Sequence, residues 1–260
     1  MFRNIIVKRP CRAVTEGITS APELGKPIYE KALRQHDAYI EALRSCGTQV
    51  DILPADEAFP DSCFVEDTAV LTERCAVLTN PGAPTRQRET VSMLPVLKKY
   101  YPEDRIGYIK APGTLEGGDV MMVEDHFYVG RSARTNSEGI RQFAAILEKY
   151  GYAVSEVPLS QVLHLKTGVN YIGDGTMLVS GEFTDKPAFA QYKKLVIPEE
   201  EAYAANCIRV NDKVIMPEGY PRTMALIKDA GFDVICVDTS EFRKIDGGLS
   251  CLSLRFSSLL

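Results

Sequence analysis

The feature that most constrains this chain is a pattern met four times: two short apolar strands joined by a tight polar turn. It is read in Thr68–Leu71, turn Glu73-Arg74, Cys75–Leu78, and again in Val120–Val123, turn Glu124-Asp125, His126–Val129. Val169–Ile172, turn Gly173-Asp174-Gly175, Thr176–Val179 is the third copy, and Cys207–Val210, turn Asn211-Asp212, Lys213–Met216 the fourth. The letters differ, but the interval holds at roughly 40 to 50 residues, the range of propellers and solenoids.

A helix and one more strand follow the hairpins. Thr135-Asn136-Ser137-Glu138 reads as a capping box ahead of Ile140, Phe143, Ala144 and Leu147 at helical spacing. Gly151 stops that helix and Val154–Val157 is the next strand. After the fourth hairpin, Pro221 opens a helix through Met224, Ile227 and Lys228, Gly231 ends it, and Val234–Val237 is again a strand. The unit is strand, strand, helix, strand.

In the second unit Pro95 falls inside the expected helix, which is therefore kinked or begins there. Another unit is abbreviated, with only Pro187–Tyr192 between its hairpin and Leu195–Ile197. The N-terminal unit has one strand, Ile5–Lys8, a helix with Tyr29, Leu33, His36, Ile40 and Leu43 on one face, and Val50–Leu53. Its missing partner is supplied if Cys251–Phe256 pairs with the first strand and closes a ring of five units. The expected fold is thus α/β, a five-bladed propeller closed by its two terminal strands. Lys110–Gly118 and Ser180–Pro187 read as loops, and Ser257–Leu260 as a tail. No linker marks a boundary, so residues 1–260 are expected to form one domain.

Composition narrows the function. A net charge of -5, with no basic stripe, argues against nucleic acid or an anionic membrane as partner, while acidic pockets suit a cationic small molecule. The N-terminal apolar run is too short for a signal peptide and no long apolar segment occurs, so a cytoplasmic protein is expected. The 7 cysteines, an odd number without C-x-x-C spacing, read as free thiols. With 3 histidines and no H-x-x-x-H, no metal is expected and the chemistry falls to organic side chains.

Residues just ahead of each first hairpin strand should meet near the axis, at one end of the ring. Those are Asp61, Glu66 and Asp67, then Glu116 and Asp119, then His164, then Asp246 and Cys251. Each has a plainer reading: Glu66-Asp67 as a solvated pair, His164 as a half-buried structural histidine, Glu116 and Asp119 as turn formers around Gly117-Gly118, Cys251 as an inert thiol. Their corresponding places in successive units favour one shared cavity. Clustered carboxylates suit a permanently charged ligand, and a guanidinium matches two of them through paired hydrogen bonds. Its carbon is electrophilic, its charge lowers the pKa of a neighbouring thiol, and an imidazole can protonate a departing amine. Glu116 would hold that imidazole or bind the cation itself.

Five segments, taken in order, carry a resemblance: Phe59-Pro60-Asp61-Ser62-x-Phe64-Val65-Glu66-Asp67, Ala111-Pro112-Gly113-Thr114-x-Glu116-x-Gly118-Asp119, Ser132-Ala133-Arg134-Thr135-Asn136, Val162–Gly168 and Lys244-Ile245-Asp246-Gly247-Gly248-x-Ser250-Cys251. The chain resembles, essentially end to end, the dimethylarginine dimethylaminohydrolases of the guanidine-modifying superfamily, five-bladed α/β propellers. The resemblance implies hydrolysis of methylated arginine to citrulline and a methylamine, without metal or organic cofactor. It implies Cys251 as nucleophile, His164 as proton donor and then base, and Glu116 as its supporting carboxylate. Glu66 and Asp67 would face the guanidinium. Asp61 and the carbonyls of Ile18 and Ile245 would take the α-amino group, and Arg86 and Arg134 the α-carboxylate, with Arg88 a competitor for Arg86.

The loop Thr15–Gly25 reads as a lid that excludes water. The rival readings are an arginine deiminase releasing ammonia, which normally carries an extra helical insertion, and a non-catalytic amino-acid binding propeller. A nucleotide binder at Gly117-Gly118 or Gly247-Gly248 is disfavoured by the surrounding acids. The partner is a small-molecule substrate. The number of subunits is left open, a homodimer included.

Overall fold

Apolar residues on both faces of the central strands require cover on both sides, and the computed structural model, which describes residues 1–258, meets that need with five three-stranded sheets. Leu259 and Leu260 of the expected tail lie outside the described residues. The first sheet is built from β1 (Asn4–Lys8) and β2 (Gln49–Leu53), joined by helix α1 (Tyr29–Ser45). The second holds β3 (Ala69–Leu71) and β4 (Ala76–Leu78), then α2 (Glu89–Leu97) and β5 (Ile106–Tyr108). The third holds β6 (Val120–Val123), β7 (His126–Arg131), α3 (Ser137–Leu147) and β8 (Ala153–Pro158). The short helix α4 (Leu165–Gly168) leads into β9 (Val169–Gly173), β10 (Thr176–Val179) and β11 (Lys193–Val196). The fifth sheet is β12 (Ile208–Val210), β13 (Lys213–Pro217) and β14 (Asp233–Val237), with α5 (Pro221–Asp229) between the last two. After α6 (Ser240–Arg243), β15 (Leu254–Phe256) returns to β1.

Each blade pairs its first two strands antiparallel and its last two parallel, as β3–β4 and β4–β5 do. In the first blade β15 takes the inner place, antiparallel to β1 with Ile5 opposite Arg255. Alternation along a strand then feeds two cores at once. Ile5 and Val7 pack with Ile208 and Ile215 of the fifth blade, whereas Ile6, with Leu254 and Phe256, packs on Val65, Ala69 and Leu71 of the second. Val70 and Val77 meet Val120 and Phe127, Met121 and Val123 meet Val169 and Met177, and Ile172 and Leu178 meet Val214 and Met216. Five cores, each between neighbouring blades, close the ring.

Five local expectations shift. The cap of α3 is Asn136, whose Oδ1 accepts Gly139 N–H at 2.8 Å. Thr135 is buried and instead accepts the Glu116 N–H, and Glu138 is drawn to Arg141, so the cap moves by one residue and the capping box does not form. Helix α2 starts at Glu89 and runs through Pro95 to Leu97, so Pro95 does not begin it. The closing strand starts at Leu254, because Ser250–Leu252 form a 3-10 turn. The expected loops each hold one short 3-10 turn, Gly117–Asp119 and Gly181–Phe183. The buried face of α1 includes Tyr39, whose hydroxyl donates to the Leu249 carbonyl at 3.0 Å, while Tyr29 and Leu33 lie at its partly exposed edge.

Candidate active site

Every inner strand is preceded by a short helical turn: Val65–Thr68, Gly117–Asp119, α4, Glu199–Ala205 and Ser250–Leu252. These turns pack on one another around the axis, which carries the residues named from the sequence to one end of the ring. Glu66, Asp67, Glu116 and Asp119 are buried, so the solvated-pair reading of Glu66-Asp67 is wrong for this fold. Gly117 and Gly118 are needed for close approach. A Cβ on Gly117 would stand 1.9 Å from the Glu66 carbonyl oxygen, and one on Gly118 2.8 Å from His164 Nδ1.

His164 is the residue just before α4, and its side chain is 12% exposed. Its Nε2 meets Glu116 Oε2 at 2.7 Å. The other Glu116 oxygen accepts Ala83 N–H at 3.0 Å and faces Arg134 Nη1 at 3.4 Å. Burial opposes charge on the imidazole, but the Glu116 hydrogen bond and the charges of Asp119, Asp67 and Glu116 outweigh it and lift the pKa to about 9. Asp119 accepts Ser132 Oγ–H at 2.6 Å and Leu165 N–H at 2.9 Å. Burial raises its own pKa, against the pull of His164.

Cys251 is half-buried. Burial first, then the charges of Glu66 and Asp67, push its thiol up to about 12, while the Gly248 N–H and Lys166 act the other way. The turns that carry Cys251, Asp67, Glu116 and His164 pack on one another, and the Asp67 charge bears on both the thiol and the imidazole. Burial disfavours the Asp67 anion, but Arg86, His164 and the Gly118 N–H hold its pKa below the usual carboxylate value. The same acids thus favour a protonated imidazole and oppose a thiolate.

Glu66 is turned to other work than facing a guanidinium alone. Lys166 and Arg255 pair with its Oε1, Arg255 at 3.0 Å, and Ser250 Oγ donates to Oε2 at 2.8 Å. This cluster forms a floor. Beyond it lies a cavity of about 550 Å³ lined by Glu66, Lys166, Arg255, Asp174 and Arg209, to which Cys251, His164, Glu116 and Asp67 contribute nothing. Lys166 and Ser250 stand inside motifs read from the sequence, but their charge and hydroxyl had no assigned place. Asn206, too, went unnoticed, although it occupies the position ahead of β12 that the same reasoning would have singled out in the fifth unit.

At the far side of the well, Asp61 Oδ1 accepts the Ile18 N–H at 3.0 Å, and a Cβ on Gly17 would lie 3.0 Å from both Asp61 Oδ1 and Ile245. Burial raises the Asp61 pKa and Arg86 lowers it. Asp61 and Ile245 thus come together against Gly17 and Ile18 of the loop Thr15–Gly25. Asp246 departs from the expected cluster: its carboxylate accepts the Ser20 N–H at 2.6 Å and Ser20 Oγ–H at 2.9 Å, tying that loop down. Arg86 is buried, with its guanidinium on Asp67, on Glu89 at 2.9 Å and on the Phe64 carbonyl at 2.9 Å. Arg88 is exposed, so of the two competitors Arg86 is the one beside the well.

Donor atoms of Asp67, Glu116 and His164 lie within 4.8 Å of one another, a set that suits a divalent cation when the ring is neutral. Each already has a partner of its own: Arg86, Arg134 and Glu116 in turn.

Fold and site together define a guanidine-modifying hydrolase of the five-bladed α/β propeller class. The family profile described as N,N dimethylarginine dimethylhydrolase, eukaryotic, matches residues 23–218. The chain is 56% identical over 256 residues to the N(G),N(G)-dimethylarginine dimethylaminohydrolase of Pseudomonas aeruginosa, covering 98% of this chain and 100% of that protein. A solved Pseudomonas aeruginosa structure of that enzyme, a cysteine-to-serine mutant complexed with citrulline, superposes with a TM-score of 0.97 at 55% identity, over 98% of this chain and 100% of the other. A histidine-to-glycine dimethylarginine dimethylaminohydrolase, solved as an adduct with S-methyl-L-thiocitrulline, gives 0.96 at 55% identity and the same coverage. This chain belongs to the dimethylarginine dimethylaminohydrolase family. Among the described residues no helix is long and apolar enough to cross a membrane.

Proposed function

We propose that this chain hydrolyses N(omega)-methylated arginine, asymmetric dimethylarginine or monomethylarginine, to citrulline plus dimethylamine or methylamine, within a single catalytic domain. The observation that carries the reading is His164 held on Glu116 at 2.7 Å beside the Asp67 charge that also bears on Cys251. Substrate brings a cation to these acids. Its guanidinium cation offsets Glu66 and Asp67, the charges that keep the thiol protonated, so binding releases the thiol proton to solvent.

The Cys251 thiolate then attacks the guanidinium carbon. As the bond to the methylated nitrogen breaks, His164 gives its proton to the leaving amine, producing a thiouronium bound to sulfur. Water attacks the same carbon, His164 takes its proton, and expulsion of sulfur leaves citrulline. Glu116 stabilises the imidazolium in the first half and fixes the ring in the second. Asp61 with the carbonyls of Ile18 and Ile245 receives the α-ammonium, and Arg86 with Arg134 the α-carboxylate, groups that match in charge and hydrogen-bonding sense. No metal or organic cofactor is required by these steps.

Asymmetric dimethylarginine and plain arginine supplied separately, with citrulline as the readout, test the substrate. Turnover of the methylated compound is expected, and equal or faster turnover of arginine would overturn this reading in favour of a deiminase. Cys251→Ser is expected to abolish hydrolysis while sparing binding of asymmetric dimethylarginine.

A further inference from the structure

Asn206 touches none of the reacting groups, yet it joins the two turns that present them. Its Oδ1 accepts the Ser250 N–H at 2.9 Å, and its Nδ2 donates to Ser250 Oγ at 3.1 Å and to the Lys166 carbonyl at 3.0 Å. Ser250 immediately precedes Cys251, and Lys166 lies in α4, directly after His164. One amide therefore bridges the nucleophile's turn and the imidazole's turn.

The amide itself is immobilised. It is 7% exposed, and a Cβ on Gly248 would stand 2.5 Å from Asn206 Cγ and 2.6 Å from its Oδ1, so the Gly248 backbone packs directly against it. Asn170 Nδ2 shares the Lys166 carbonyl at 2.8 Å and also takes the Ala205 carbonyl at 2.8 Å, fixing the residue next to Asn206. A second bridge between the same turns runs from Lys166 Nζ through Glu66 to Ser250 Oγ, but it depends on a long lysine side chain. The Asn206 bridge uses backbone groups on both sides, and backbone groups hold position better.

We propose that Asn206 is a positioning residue for the reaction, setting the Cys251 sulfur against the His164 ring by clamping Ser250 to the Lys166 carbonyl. This rests on the assignment of Cys251 and His164 given above. Misplacing a reacting group by about 1 Å costs roughly 100-fold in rate without touching substrate binding to the same degree.

The test compares Asn206→Asp, which keeps the shape and replaces the donor by a repelled oxygen, with Asn206→Ala. Enzyme concentration is taken from the folded chain recovered as a single size-exclusion peak that unfolds cooperatively, so that misfolded chains are not counted. On asymmetric dimethylarginine, kcat per folded chain is expected to fall about 100-fold in both variants with KM changed less than about threefold. A merely architectural role would lower Tm and the yield of folded chain and leave kcat per folded chain at the wild-type value. That result overturns the proposal. Should Asn206→Ala not be recovered folded, Asn206→Ser, with one hydroxyl in place of the amide, stands in for it with the same two outcomes. Cys251→Ser is assayed in parallel. If it is inactive while the Asn206 variants keep wild-type kcat, only the inference about Asn206 falls; if it retains turnover, the nucleophile assignment falls and takes this inference with it.

Discussion

At the scale of single residues, the site is governed by how few opposite charges meet many acids. His164 is kept protonated because Glu116, Asp119 and Asp67 outweigh its burial, and its pKa stands near 9. Glu116→Gln removes the hydrogen-bonded anion and leaves burial unopposed by it, so the ring should lose its proton at lower pH. The alkaline limb of the kcat profile is then expected to move to lower pH, with kcat at neutral pH down by about 10²–10⁴, as for loss of a general acid. A pH–rate profile of the variant with an unmoved alkaline limb would show that the imidazole is not the group titrating. The same interaction has a thermodynamic sign. A histidine pKa raised on folding stabilises fully below about 6.5 and the gain is lost as pH rises through about 9.

At the scale of elements, α1 contains the opposite case. His36 is fully buried in the face that packs on Phe242, and neither ring nitrogen has a hydrogen-bond partner among the described residues. Burial first, then Arg9, lowers its pKa to about 4, while Asp37 and the nearby Lys8 backbone act weakly the other way. A depressed histidine contributes nothing to pH dependence above about 6.5 and destabilises progressively as pH falls toward about 4, by about 3 kcal/mol in total. His36→Met should therefore raise the urea midpoint more at pH near 5 than at pH near 8. Equal shifts at both would mean that the ring is hydrated in solution. The apolar spacing of α1 gave the helix and its face directly, with His36 on it. That its nitrogens go unmet was invisible, since it depends on what α6 lays over them. The displaced cap of α3 has a similar cause: Thr135 is a fit cap by type, but the Glu116 N–H of a neighbouring strap claims its hydroxyl.

At the scale of the whole molecule, stability depends on closing the ring, because each core lies between two blades and the first blade is completed only by β15. Phe256, 1% exposed, sits edge-on to Tyr100 with ring centroids 4.9 Å apart and against Tyr101 at 5.8 Å. Phe256→Ala is expected to cost about 3–5 kcal/mol, far more than its place near the C-terminus suggests. Denaturant unfolding should show one cooperative transition at lower midpoint, whereas a loss under about 1 kcal/mol would mean that the ring tolerates an open blade.

What the sequence determined by itself was everything written in local periodicity: the hairpins, the helices between them, the count of five, and the turns from which Glu66, Asp67, Glu116, His164 and Cys251 reach the axis. Alternation and helical spacing are short-range signals, and repetition turns them into geometry. Which acid serves which partner was decided only when the ring closed. Glu66 is claimed by Arg255 and Ser250 from the other end of the chain, Asp246 by Ser20 of the loop, and Asn206 links turns contributed by two other blades. Pairings of that kind are set by distances between residues far apart in the chain, and no local pattern encodes such a distance.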